Sequence, residues 1–453
     1  LLSGNLRSRV FWLALPALGE QFLNFSVGMF DTWLAGAAPP IEGAPGLTTS
    51  AVGIAAYMSW LGTLLFALVG SGVKALVARH VGSGQRAEAN RVLNVGLALA
   101  GVQGILICVS FYSLVPVYAA VQNKTGPAGD VIVEYLRIEA FAHLFFSFCL
   151  AGSAAMRGAG DTRSPLMLLG CVNVINMLVS PALVFGWGPL PECGLRGVVF
   201  GTLIARICGG LLFLAALARG VSGLQLRLRL WVPHRETFRR IVAVGIPAAT
   251  DGVLMWLAQS TFLSIVSRLD AGGSSANLAA HTIGIQVEAL SYLAATAWGE
   301  AAGSMMGQCL GAGNVPRARA ACHEAAWQGT LLAIPASCFY FFGAPYIYAF
   351  MSNEPAVQEV GIPAMRLLAV YQAPLVLLVI HLYAIRGAGD TRTPLLLNLV
   401  CVTCVRLPIA CLLTMVFSLG LSGAWLGMIC DVTVRWLVIR VVFRREAWSR
   451  VKV

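Results

Sequence analysis

Arg157-Gly-Ala-Gly-Asp-Thr-Arg-Ser-Pro165 returns 229 positions later as Arg386-Gly-Ala-Gly-Asp-Thr-Arg-Thr-Pro394. That interval is about half of the 453-residue chain. Self-similarity at a fixed long spacing marks an internal duplication, and other pairs extend it. Pro16-x-x-x-Glu20 is matched by Pro247-x-x-x-Asp251, Gly82-x-Gly84 by Gly311-x-Gly313, Arg137 by Arg366, and Gly194-Leu-x-Gly197 by Gly420-Leu-x-Gly423. The segments between these landmarks are long, apolar and helical in pattern.

Composition says what solvent those helices need. The chain is 58% hydrophobic and 11% charged, whereas soluble domains carry about 25% charged residues. One aqueous core does not absorb so much apolar surface at this length, so lipid is the expected partner. A net charge of +11 in a soluble chain would point to nucleic acid. Here the basic residues fall in alternate loops, which is the pattern of membrane orientation, and no nucleic-acid partner is expected. Most of the twelve cysteines, such as Cys108, Cys149, Cys208 and Cys338, lie in apolar stretches and read as small hydrophobes. Cys401-x-x-Cys404 has no second pair, which argues against zinc or redox chemistry. The first apolar run is too long for a cleavable signal.

With about 20 apolar residues per crossing, twelve spans are expected at roughly 10–36, 51–78, 92–121, 132–156, 165–187, 196–218, 240–268, 278–309, 319–350, 359–385, 394–417 and 421–443. The odd-numbered connections contain one cation, Lys124. The even ones contain Arg79, Arg86, Arg91, Arg157, Arg163, Arg317, Arg319, Arg386 and Arg392, and the tail from Arg444 to Lys452 and the N-terminal Arg7 and Arg9 fall on the same side. The positive-inside rule makes that side cytoplasmic, with both termini inside a cell inner membrane. The expected division is an N-terminal six-helix lobe (1–218), an amphipathic linker lying on headgroups (219–239) and a C-terminal six-helix lobe (240–453). Six spans per half is even, so the halves are parallel repeats about an axis along the membrane normal, a layout found among secondary transporters. The fold class is all-α.

The repeated turn reads first as a joint. Gly158 or Gly160 takes the left-handed conformation that ends a helix, and Ser164 caps the next one with Pro165 at its first position. Thr393 and Pro394 repeat this. Arg157, Asp161, Arg386 and Asp390 are the candidate gating residues of the two turns. No strand precedes the glycines and no Gly-Lys-Ser/Thr follows, so they are not a phosphate loop.

The segments Leu13-Ala-Leu-Pro-Ala-Leu-Gly-Glu-Gln-Phe-Leu-Asn24 and Met29-Phe-Asp-Thr32, both Arg-Gly-Ala-Gly-Asp-Thr turns, and Met306-Gly-Gln-Cys-Leu-Gly-Ala-Gly-Asn314 resemble the multidrug and toxic compound extrusion (MATE) family, prokaryotic type, over nearly the whole chain. The resemblance implies a monomeric antiporter with two six-helix bundles around a central cavity, exporting organic cations in exchange for H+ or Na+ by alternating access. No other cofactor and no structural metal are implied.

Charges at bilayer depth are costly and mark candidate sites. Glu20, Asn24 and Asp31 share one face of the first span, since 11 residues make about three helical turns. The resemblance implies that Asp31 couples to the driving cation, together with Asn176 and Thr202. Ser180 stands where the family has an acid in span five, which removes one hard oxygen charge from a Na+ site near Asp31. In the second half the substrate or ion candidates are Asp251, Glu288, Glu300 and Asp390, after Glu20 and Asn24 in the first. Met255, Trp256, Tyr292 and Trp298 are candidate apolar or stacking contacts for a bound cation. His281 reads as an interfacial side chain. Asp431 and Arg435, four apart, read as a structural ion pair, while Arg206 and Arg406 need acids from other spans or an interface to snorkel to. The alternative function is a flippase for a lipid-linked saccharide, disfavoured by the intramembrane acids. No nucleophile triad, metal cluster or nucleotide loop supports an enzyme.

Overall fold

A computed structural model describes residues 4–39, 47–121, 127–231, 234–270 and 275–451. Lys124 and Lys452, two of the cations used in the loop argument, lie outside the described residues, as do parts of the connections at 40–46, 122–126 and 271–274. The described chain has helices and no strands. In order they are α1 (Leu6–Ala37), α2 (Leu47–Gly82), α3 (Arg86–Val121), α4 (Pro127–Gly158), α5 (Arg163–Val184), α6 (Leu195–Ala218), α7 (Arg235–Ser267), α8 (Ala276–Gly311), α9 (Val315–Met351), α10 (Pro355–Val370), α11 (Gln372–Gly387), α12 (Arg392–Cys401), α13 (Leu407–Cys411) and α14 (Gly420–Arg444).

These helices resolve into the twelve expected spans. Eight are long and apolar enough to cross a membrane on those grounds alone, counting Arg392–Val416 as one, and α10 with α11 forms a further span bent by 56°. The bend has a local cause. Pro374 lies in the first turn of α11, where its ring clashes with the carbonyl four residues back, at Val370. The remaining three, α1, α8 and α14, are 32, 36 and 25 residues long. Each carries charged residues inside the span: Glu20 and Asp31, Glu288 and Glu300, Asp431 and Arg435. Between α12 and α14 the span widens twice into π-helical turns, Val402–Arg406 and Leu412–Val416, a form often found at functional positions.

The duplication is visible in the packing. A methyl group on Gly158 would sit 2.7 Å from the Lys74 carbonyl oxygen, and one on Gly387 would sit 2.2 Å from the carbonyl oxygen of Gly303, the equivalent residue of the second half. The first glycine of each turn is therefore needed for close helix approach rather than for a special dihedral. Arg137 lies over the Tyr112 ring at 4.9 Å, and Arg366 lies over the equivalent Phe341 at 5.8 Å.

The chain forms two compact units whose boundaries fall inside helices. One comprises residues 19–249, the other residues 1–18 and 250–453. The first turns of α1 thus contribute Val10, Leu13, Ala14 and Ala17 to the core built on α8, α9, α11 and α14, which includes Met305, Ile380 and Trp425. The first turns of α7 likewise pack in the other unit, where Ile241 touches Gly72. Pro16 and Pro247 each stand two residues before the boundary. The core of the 19–249 unit is built from Val115, Ile132, Leu136, Val184 and Val198. Large side chains such as Phe342, Tyr346, Phe350 and Val416 point outward, as a lipid solvent requires.

The segment after α6 is held by protein rather than lying wholly on headgroups. Asn90 and Asn94 of α3 hydrogen-bond its backbone at Gln225 and Arg227, at 2.7–3.0 Å. Leu224 is buried.

Candidate functional site

Each repeated turn ends a helix and fastens another. Gly160 and Gly389 take φ of +86° and +95°, so the second glycine of each turn supplies the left-handed residue that closes the helix. The capping expected of Ser164 and Thr393 belongs instead to the aspartates. Asp161 Oδ1 accepts from the backbone N–H groups of Arg163 and Ser164, both at 3.0 Å, and Oδ2 accepts from the hydroxyls of Ser164 and Ser222. Asp390 accepts from Thr393 N–H at 3.0 Å and from its hydroxyl at 2.6 Å. The reason is geometric: α5 and α12 begin at Arg163 and Arg392, so the serine and threonine are already helical and serve as donors. Burial pushes the Asp161 carboxyl upward, but the four hydrogen bonds from Ser164, Ser222 and Arg163 outweigh it and hold it below the ordinary aspartate value.

The first arginine of each turn grips the acid that follows the helix proline. Arg157 Nη1 bonds Glu20 Oε1 at 3.1 Å, and Glu20 is buried. Arg386 pairs with Asp251, whose other oxygen accepts from Asn398 Nδ2 at 2.7 Å. In the second half this contact continues inward. Asn398 Oδ1 accepts from Arg435 Nη1 at 3.0 Å, and Arg435 pairs with Asp431 as the four-residue spacing led one to expect.

Helices α1 and α5 run alongside in register: the Cα position of Gly19 faces Leu166, Gly170 faces Leu23, and Asn173 Nδ2 donates to Asn24 Oδ1 at 3.3 Å. Asn176 Nδ2 donates to Thr202 Oγ1 at 3.1 Å, and Ser180 packs against Gly201, where a methyl group would collide with its Oγ. Asp31 Oδ1, Asn176 Oδ1 and Ser180 Oγ are buried atoms without a hydrogen-bond partner.

Sequence reasoning missed part of this cluster. Glu139 on α4 is buried, accepts from the Ser59 hydroxyl, and lies 3.9 Å from Arg206 Nη1. Arg206 also covers the Phe146 ring at 4.7 Å, so it is paired inside the unit rather than snorkelling. His143, one turn along α4, is buried against Phe66 and Phe111, with Nδ1 3.0 Å from the Glu139 carbonyl. The same rule that singled out Asp31, a carboxylate within an apolar span, identifies Glu139.

In the other unit Asp251, Asp431 and Glu288 have side-chain partners. Glu288 accepts from the Tyr371 hydroxyl. Glu300 is half-buried, and its carbonyl accepts from Ser304. Arg406, at the end of the first π turn, donates to Gln259 at 3.0 Å and covers the Phe262 ring at 4.5 Å. His281 is not interfacial. It is buried and accepts from Trp425 Nε1 at 3.1 Å, because its ring completes the packing between Phe262 and Trp425. Trp298 is buried and donates to Gln328 at 3.0 Å beside a groove of about 500 Å³ lined by Arg7, Phe11, Trp12, Leu331 and Leu332. Tyr292 is exposed, and Met255 and Trp256 are half-buried. Among the described residues no group of three His, Cys, Asp or Glu side chains is placed to hold a metal ion.

The MatE family profile matches residues 16–182 and 247–412, one match per half. The chain belongs to the MatE family. Its members are transporters, not enzymes. The chain is 28% identical over 452 residues to the probable multidrug resistance protein NorM of Thermotoga maritima, covering 98% of this chain and 94% of the relative. It is 26% identical to the multidrug resistance protein MdtK of Pectobacterium atrosepticum, covering 97% and 96%. Among solved structures, a MOP superfamily transporter from Pyrococcus furiosus superposes with a TM-score of 0.89 at 20% identity, covering 99% of this chain and 98% of that one. This MatE chain therefore has the family's twelve-span, all-helical fold.

Proposed function

We propose that this MatE protein is a cation-driven efflux antiporter that exports organic cations by alternating access, with Asp31 as the carboxylate that loads the driving ion. The reading is carried by the buried, unpartnered Asp31 Oδ1 of α1 together with the buried, unpartnered oxygens of Asn176 and Ser180 on α5, the helix whose Asn173 donates to Asn24 of α1. A carboxylate in that setting binds a proton or a small hard cation strongly and releases it when the surroundings change. The names of the relatives support a drug-like cargo. Export requires that ion and cargo favour different states of the carrier. The basic turns orient the chain with both termini cytoplasmic in a cell inner membrane, and the protein works as a monomer.

Asp161 and Asp390 are turn residues in this reading, and Glu20 and Asp251 hold the turns through Arg157 and Arg386. Glu288, Glu300 and Asn24 remain the cargo candidates.

The test is uptake of ethidium, a permanent organic cation, into inverted vesicles, with the proton and sodium gradients collapsed separately. The reading expects uptake to fail on collapse of one gradient. Uptake that survives both and needs ATP directly refutes it.

A further inference from the structure

We infer that the groove where α3, α4 and α6 meet, at the membrane face opposite the repeated turns, is a docking site for one amine-bearing phospholipid of the phosphatidylethanolamine type. The groove lies wholly within the 19–249 unit and holds about 560 Å³. Asp130, Glu134, Arg137 and Phe141 of α4 line it, with Tyr112 of α3 and Phe200 of α6. Offsets of 4, 7 and 11 residues put the four α4 side chains on one helix face. Helix α4 has 32 residues, about 48 Å of helix against a hydrocarbon core of about 30 Å. Its first turns, from Pro127, therefore stand at headgroup level. Along the groove Asp130 is outermost, Glu134 and Arg137 follow, and Phe141 lies deepest, edge-on to the Tyr112 ring at 5.8 Å. Both rings are exposed. An aminophospholipid presents its ammonium, phosphate and acyl chain in the same order.

The charges agree with that order. Glu134 is engaged by Arg196 at 2.8 Å, and Asp130 is exposed. Arg137 lies over the Tyr112 ring at 4.9 Å, and its Nε is buried without a hydrogen-bond partner. Two carboxylates and two guanidiniums sum to zero, so a zwitterionic headgroup keeps the groove neutral, whereas an anionic one leaves Asp130 unanswered. The phosphate goes to Arg137, whose long stem lets the guanidinium snorkel toward the phosphate level. The ammonium donates to Asp130, which a trimethylated ammonium, having no N–H, does not do. The acyl chain lies along Tyr112, Phe141 and Phe200. The second half carries only part of this set. Glu359 and Arg366 stand 229 positions after Asp130 and Arg137, and Arg366 covers the Phe341 ring, but Pro363 and Val370 take the places of Glu134 and Phe141.

The experiment is native mass spectrometry of the purified full-length protein, titrated in detergent with phosphatidylethanolamine, phosphatidylcholine and phosphatidylglycerol of identical chains, reading the dissociation constant of the first bound lipid. Wild type is expected to bind phosphatidylethanolamine at least about fivefold more tightly than the other two, the size of one partly exposed ion pair. Asp130→Asn is expected to remove that preference. Arg137→Gln is expected to weaken phosphatidylethanolamine binding by about the same factor. Glycerophosphoethanolamine, the headgroup without chains, is expected not to displace the bound lipid. Asp130 is exposed, so its substitution keeps the test open if Arg137→Gln does not fold. Equal wild-type affinities for the three lipids, a preference that Asp130→Asn leaves unchanged, or displacement by the chainless headgroup overturns the inference. None of these results bears on Asp31 or on export.

Discussion

Replacing Asp251 by alanine tests the latch that joins a repeated turn to the helix beyond Pro247. Asp251 is 2% exposed and holds Arg386 on one oxygen and Asn398 on the other. Its removal leaves a guanidinium without its carboxylate and a buried amide N–H without an acceptor. Removing one partner of a buried pair costs about 3–5 kcal/mol. Arg386 keeps 27% of its side-chain surface open and lies 5.6 Å from the Tyr383 ring, so water and the ring recover part of the loss. The expected destabilisation is at the low end, about 3 kcal/mol. Asp251→Asn keeps the shape and an acceptor but loses the charge, and is expected to cost about 1–2 kcal/mol. The assay is reversible unfolding in mixed detergent micelles, run as a double-mutant cycle with Arg386→Ala. The two substitutions should be non-additive by at least about 1 kcal/mol. Strict additivity, or an Asp251→Ala protein as stable as wild type, refutes the latch.

Two further outcomes follow from the turn. Gly387→Ala places a methyl group 2.2 Å from the Gly303 carbonyl oxygen with only backbone atoms nearby, whereas Gly158→Ala leaves 2.7 Å to the Lys74 carbonyl oxygen; thermal unfolding should show the larger loss at Gly387, on the order of 1–3 kcal/mol, and equal losses would contradict the packing argument. Asp161, held below its ordinary value, contributes stability that is complete above the unfolded carboxylate pKa of about 3.9 and disappears as pH falls through the lower folded value. The gap between wild type and Asp161→Asn should accordingly be flat at neutral pH and close only in strong acid; a gap that closes near pH 7 is the contrary result.

Much of the fold is legible because duplication and hydropathy are local signals. The twelve spans, the pairing of the two turns and the left-handed Gly160 and Gly389 follow from spacing and residue type. The 56° break at Tyr371 is less so, since a proline such as Pro374 interrupts some spans and merely tilts others. The division of α1 and α7 between compact units leaves no local trace: Val10 and Leu13 look like any apolar helix residues, and only tertiary packing assigns them to the core of the second half. At the candidate site, one-helix relations were readable, such as the common face of Glu20, Asn24 and Asp31 and the Asp431–Arg435 pair. Cross-helix relations were not. Glu139 and Arg206 are 67 residues apart, and their meeting depends on the depth and rotation of α4 and α6, which periodicity does not encode. The aspartates of the turns illustrate a finer limit. A two-residue difference in where α5 begins, Arg163 rather than Pro165, turns Ser164 from a cap into a donor and gives the capping role to Asp161.

The most direct test of the account is ethidium transport by Asp31→Asn, reconstituted beside wild type at equal protein density in proteoliposomes with an imposed proton gradient. The account predicts that the variant inserts normally and loses gradient-driven transport. Transport at the wild-type rate by Asp31→Asn would contradict it.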